Sequence, residues 1–137
     1  MIIVSACLAG ICCRYDGGTK PSAAVVRLVA EGQAIPLCPE QLGGLPTPRL
    51  PAEQVGDKVI RKDGVDVTAQ FERGAQEALK IARLIGAKTA ILKARSPSCG
   101  CGKIYDGSFS SRLVDGNGVF AEACKQAGME VGTEEEI

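Results

Sequence analysis

The chain has 137 residues, 45% of them hydrophobic, with Lys plus Arg and Asp plus Glu balanced at 16 each. That length suits one compact domain spanning residues 1–137, and a formal charge of zero with no basic block argues against a stable nucleic-acid complex. Histidine is absent, which removes Ser-His-Asp and Cys-His nucleophile pairs and His-containing zinc sites, so proton transfer falls to Asp, Glu, Lys, Tyr, Cys, Ser or water.

The start, Met1-Ile2-Ile3-Val4-Ser5-Ala6, carries no basic leader and is too short for a membrane span. A cytoplasmic address is the expectation. Ile2 to Ala6 reads as a buried first strand, followed by a Gly- and Cys-rich loop from Cys7 to Lys20. A helix is expected from Pro21 to Gly32, with Val25, Val26, Leu28 and Val29 on its inner side. Ala34 to Leu37 reads as a second strand whose Pro36 is tolerable only at a start or an edge.

Between Pro39 and Pro51 the chain holds four prolines and two glycines, which predicts neither helix nor strand. A hairpin is expected within Val55 to Val67, Lys58–Arg61 turning at Lys62-Asp63-Gly64 into Val65–Val67. Thr68 is a candidate N-cap for the strongest helix, in which Phe71, Ala75, Ala78, Leu79, Ala82 and Ile85 recur at helical spacing before Gly86. Lys88 to Lys93 reads as a third strand, Ser96 to about Gly116 as a Gly/Ser-rich loop, Gly118 to Ala127 as a last helix, and Met129 to Val131 as a final strand. The acidic end, Glu134-Glu135-Glu136, is expected to be a solvated tail.

Repeated βα units predict an α/β fold: a single-domain three-layer sandwich with a short, mainly parallel sheet and a small hairpin insertion. Ligands in such folds bind beyond the carboxyl ends of the strands. Cys7, Cys38 and Cys99 each follow a predicted strand, so the topology brings three distant thiols to one rim. In a reducing compartment clustered cysteines bind metal or do chemistry, and the odd total of seven does not suit full pairing.

Several readings of these residues compete. The loop from Cys7 to Arg14 resembles the phosphate loop of low-molecular-weight tyrosine phosphatases, but six residues separate its cysteine and arginine, one too many to close the same ring of N–H groups. Cys12 or Cys13 also fits as a small buried hydrophobe, and Cys124, on the last helix, reads as core with no assigned role. In Leu37-Cys38-Pro39-Glu40 a proline fixes a turn that sets a thiol beside a carboxylate, the alternative being Glu40 as a surface residue or a helix N-terminal acid. In Lys93-Ala94-Arg95-Ser96-Pro97-Ser98-Cys99-Gly100-Cys101 the small residues allow close approach to a ligand, and Lys93 and Arg95 are placed to lower a thiol pKa. Paired C-x₂-C spacings of structural zinc sites and ferredoxin-type runs are both missing. Three ligands from three loops leave a metal position open, as a Lewis-acid catalyst requires. A zinc- or thiol-based binding or sensor protein is the alternative class.

The segments Ser5-Ala6-Cys7-Leu8, Cys13-Arg14-Tyr15-Asp16-Gly17, Cys38-Pro39-Glu40, Gly43-Gly44-Leu45-Pro46-Thr47-Pro48-Arg49, Arg95-Ser96-Pro97-Ser98-Cys99-Gly100 and Ile104-Tyr105-Asp106-Gly107 resemble the thiouracil desulfidase family, catalogued as domain of unknown function 523. The resemblance runs in order through nearly the whole chain. It implies a non-redox enzyme with a [4Fe–4S] cluster held by three cysteines, acting on a thiolated pyrimidine base, nucleoside or nucleotide. It implies that substrate sulfur meets the open iron, water attacks the ring carbon and hydrosulfide leaves. By position it makes Cys7, Cys38 and Cys99 the ligands, with Cys13 in reserve. It gives Glu40 the proton transfer, and Ser96 or Ser98 the orientation of water or substrate. Cys12 and Cys101 depart from the family pattern as extra thiols.

Overall fold

A computed structural model describes all residues, 1–137. Its main sheet has four strands: β1 (Ile2–Ser5), β2 (Ala34–Leu37), β5 (Thr89–Leu92) and β8 (Glu130–Thr133). They run in the order β2-β1-β5-β8 and every pairing is parallel. β2 is an edge strand, which accommodates the missing amide of Pro36. Alternate residues face opposite layers. Val4, Ala34 and Ile91 pack with Val25 of α1 (Ala23–Ala30). Ile3, Leu37, Ala90 and Leu92 pack on the other face with α3 (Thr68–Leu84) and α4 (Val119–Gln126). The expected three-layer sandwich is present, and no helix is long and apolar enough to cross a membrane.

Several expectations change in detail. α1 starts at Ala23 rather than Pro21, because the Ser22 amide is engaged by the Leu8 carbonyl and Ser22 stays extended. Val26 faces solvent, one residue round the helix from the buried Val25. α3 takes Val67 as its N-cap, while the Thr68 hydroxyl accepts from the Val59 amide. The proline-rich segment holds one helical turn, α2 (Pro39–Leu42), with Pro39 at its first position, where no amide bond is lost.

The hairpin also shifts. β3 (Ala52–Val55) pairs with β4 (Lys58–Arg61) around Gly56 and Asp57, and Val65–Val67 adds only an isolated bridge between Ile60 and Asp66. Within the expected Gly/Ser loop lies a second antiparallel pair, β6 (Lys103–Tyr105) and β7 (Leu113–Asp115). The acidic end is a 3₁₀ turn, not a free tail. Thr133 and Glu136 form a capping box, and Glu134 accepts from the Ala94 amide at 2.8 Å while lying 3.1 Å from Lys93 Nζ.

Candidate active site

Parallel pairing places the carboxyl ends of β1, β2 and β5 on one edge of the sheet. Cys7 follows β1 in a 3₁₀ turn (Ala6–Ala9), and Cys38 follows β2 as the N-cap of α2. Position of α2 depends on two glycines. A Cβ on Gly74 would stand 1.8 Å from the Pro39 carbonyl oxygen, and one on Gly43 would stand 2.0 Å from that of Gln70. Without side chains there, α2 lies directly against α3, which fixes where Cys38 and Glu40 point.

Cys99 stands seven residues beyond β5, and a tight loop returns it to the same edge. Ser96 Oγ accepts from the amides of Ser98 (3.2 Å) and Cys99 (3.0 Å). The carbonyls of Pro97 and Ser98 in turn accept the first amides of α4, satisfying helix-end donors that have no partner within the helix. Gln54 of β3 donates to the carbonyls of Pro97 and Asn117 and ties down the outer side.

The thiols of Cys7, Cys13, Cys38 and Cys99 meet here; Cys7, Cys13 and Cys99 are buried, and Cys38 is half-buried. Contact with Cys38 pulls the Cys13 thiol down while contact with Cys7 and burial push it up, leaving it at about 11. Contact with Cys13 and burial raise Cys38 further. Burial pushes Cys99 up to about 12, against hydrogen bonds with Ser5 and Ser98 that pull the other way. Lys93 and Arg95 therefore do not depress the Cys99 pKa; they pair with Glu134 and Glu135 of the C-terminal turn.

Glu40 joins this group by both oxygens. Arg49 Nε donates to Oε1 at 3.1 Å, with Nη2 at the same distance. Ser98 Oγ donates to Oε2 at 2.7 Å and itself lies 3.0 Å from Ser96 Oγ and 3.7 Å from Cys99 Sγ. The two serines thus differ: Ser96 shapes the loop, and Ser98 connects the carboxylate to the Cys99 edge. Arg49 has no role in the sequence reading beyond its place in a family segment. Its Nη2 also donates to the Cys13 carbonyl at 3.0 Å, joining the segment after α2 to the first loop. An arginine closing a proline-rich run was the available signal.

All of these residues line one cavity of about 510 Å³, the size of a small-molecule site. Cys12 is exposed rather than buried, Cys101 has its sulfur 3.6 Å from the Val131 carbonyl, and Cys124 is fully buried in the core. None of these three lines the cavity. Arg14 also lines the cavity, with its guanidinium 5.7 Å from the Tyr15 ring centroid.

Residues 2–136 match the family described as 2-thiouracil desulfurase. The chain belongs to that family. The uncharacterized protein YbbK of Bacillus subtilis (strain 168) is 45% identical over 147 residues, an alignment covering all of this chain and 97% of YbbK. Among solved structures, the [4Fe-4S]-dependent thiouracil desulfidase TudS superposes with a TM-score of 0.95 at 46% identity, over 99% of this chain and 91% of TudS.

The donor set suits an iron–sulfur cluster. It is all thiol, the ligand type such clusters take. No three Cys, Asp or Glu side chains converge on a point that would hold a single metal ion, whereas a multi-iron cluster takes its ligands around a wider body.

Proposed function

We propose that this chain is a [4Fe–4S]-dependent, non-redox desulfidase of thiolated pyrimidines, with Cys7, Cys38 and Cys99 as its cluster ligands. The observation that carries the reading is the line from Arg49 through Glu40 and Ser98 to Cys99, a carboxylate and a hydroxyl set against a thiol-lined cavity. A cluster bound by three thiolates supplies an iron with an open coordination position, a Lewis acid toward sulfur.

The reaction exchanges the sulfur of a thiocarbonyl for oxygen. Water supplies the oxygen, the carbon–sulfur bond breaks, and sulfur departs as hydrosulfide, so no electrons are gained or lost. Without histidine the protons need another carrier. Glu40 takes a proton from water through Ser98 Oγ and returns it toward the departing sulfur. Arg49 holds the carboxylate so that Oε2 keeps facing Ser98. Ser96 supports that geometry by holding the Ser98 and Cys99 amides.

Lys20 and Lys62 also line the cavity, and their charge suits a substrate carrying a phosphate, so a nucleoside or nucleotide fits as well as a free base. A reducing, cytoplasmic setting suits seven unpaired cysteines, and residues 1–137 act as one desulfidase-like domain.

The test is anaerobic reconstitution with iron and sulfide, followed by sulfide-release assays on 2-thiouracil, 4-thiouracil and thiouridine nucleosides and nucleotides. About four irons per chain and sulfide release are expected. A fully loaded protein inactive on every thiolated pyrimidine overturns the activity, and stoichiometric zinc with no iron uptake favours a zinc-binding protein instead.

A further inference from the structure

The chain has five aromatic residues. Phe71 and Phe120 are buried in the core, and the other three, Tyr15, Tyr105 and Phe109, all line the cavity. Its three non-glycine residues with positive φ, Arg95 (67°), Phe109 (56°) and Ser111 (62°), line the same cavity. Left-handed backbone is uncommon outside glycine and persists where surroundings enforce it, often at functional sites. Phe109 belongs to both sets.

What enforces the Phe109 conformation is Glu53. This carboxylate is buried, and its Oε1 accepts from the amides of Gly107 (3.0 Å) and Phe109 (3.1 Å). Gly107 sits so close to β3 that a Cβ there would stand 2.7 Å from the Gln54 carbonyl oxygen. The loop after β6 is thus fastened to β3 at two adjacent points, and a half-buried apolar ring is held over the cavity at a backbone angle that phenylalanine disfavours. Tyr15 is occupied by Arg14 and is 40% exposed, and Tyr105 is tied to Leu113 by strand pairing. The Phe109 ring packs in none of the hydrophobic core clusters, which leaves it available for apolar contact with a flat heterocycle.

We propose that Phe109 is the stacking wall for the substrate's pyrimidine ring and that Glu53 is its positioning residue. This rests on the desulfidase reading above. Stacking uses the face of the base and not its edge, leaving the thiocarbonyl edge free to turn toward the thiols.

The test uses the cluster-loaded protein. Phe109→Ala is expected to raise KM for a thiolated uracil about ten-fold, with kcat changed less than about two-fold and iron content unchanged. Phe109→Tyr keeps KM near the wild-type value. Glu53→Ala raises KM in the same way, and Glu53→Gln, which retains an acceptor oxygen, restores most of it. The chain has no tryptophan, so Phe109→Trp provides a single fluorophore whose emission should change saturably on adding uracil, a readout independent of turnover. An unaltered KM in Phe109→Ala, or a flat emission titration in Phe109→Trp, overturns the proposal. A wild-type protein that releases no sulfide, paired with a saturable emission change, removes the desulfidase reading and leaves the stacking wall standing.

Discussion

Ser98 Oγ donates a 2.7 Å hydrogen bond to Glu40 Oε2 across a sequence separation of 58 residues. No helix or strand contains both residues; α3 and β5 intervene. The contact exists because glycines let α2 rest on α3 while Ser96 folds the Cys99 loop back over the sheet edge.

That contact and the Ser96 bonds separate two kinds of variant. Ser98→Ala and Glu40→Gln should bind iron as wild type does and lose turnover, by about a hundred-fold or more for loss of general acid–base transfer. Ser96→Ala leaves the Ser98 and Cys99 amides without their acceptor, a loss of about 1–3 kcal/mol where water cannot replace it. It should therefore reduce iron retention and thermal stability together with activity. Iron per chain, thermal melting and sulfide release on the same three proteins read the difference.

A second prediction concerns the four thiols. Cys7→Ser, Cys38→Ser and Cys99→Ser are each expected to abolish cluster retention, seen as loss of visible absorbance and of iron after desalting. Under the proposed ligation Cys13→Ser should keep the cluster, because Cys13 then stands beside Cys7 and Cys38 without being a ligand. Retention of the cluster in Cys99→Ser with its loss in Cys13→Ser would reassign the ligands. Removing iron from the wild type with a chelator should abolish sulfide release, and reconstitution should restore it.

Much of the framework was legible in the sequence because it rests on periodicity and punctuation. Phe71, Ala75, Ala78, Leu79 and Ala82 fall on one helical face, and all five are buried. The strand ends before Cys7 and Cys38 were likewise readable, and so was the convergence of the cavity thiols. What escaped depends on contacts remote in sequence. Ala52–Val55 carries Glu53 and Gln54, whose polar side chains weaken any strand signal, yet they hold the loops around Phe109 and Pro97. Lys93 and Arg95 look like thiol activators until the C-terminal glutamates arrive beside them on the turn after β8. Arg49 is an isolated basic residue in sequence and a link between Glu40 and Cys13 in the fold.

Gly74 gives a third prediction. A methyl group there meets the Pro39 carbonyl at 1.8 Å, so Gly74→Ala must push α2 away from α3, at a cost of about 1–3 kcal/mol by the usual scale of overpacking. Helix propensity alone favours alanine at an interior helical position, so a lower melting temperature isolates the packing effect. The displaced α2 carries Cys38 and Glu40, and both iron retention and turnover should fall with stability. An unchanged melting temperature would show that the two helices separate without strain.

The last prediction concerns alkaline pH and Cys124, a residue of α4 buried in the core and outside the cavity lining. Burial pushes its thiol from 9.0 up to about 12. The folded chain therefore holds this proton where the unfolded chain has released it. A raised folded-state pKa contributes stability that is complete below the unfolded value of about 9 and declines as pH rises through the folded value. Between those limits the proton difference approaches one, and unfolding free energy falls with pH by up to about 1.4 kcal/mol per unit from this group. Cys124→Ala removes the ionisable group and leaves only a small void, so the variant starts slightly less stable at pH 7 and should lose less stability on going from pH 9 to 11. Denaturant titrations of both proteins across that range, under reducing conditions, test it. Parallel slopes would show that the Cys124 thiolate is tolerated in the fold, as it would be if water reached it.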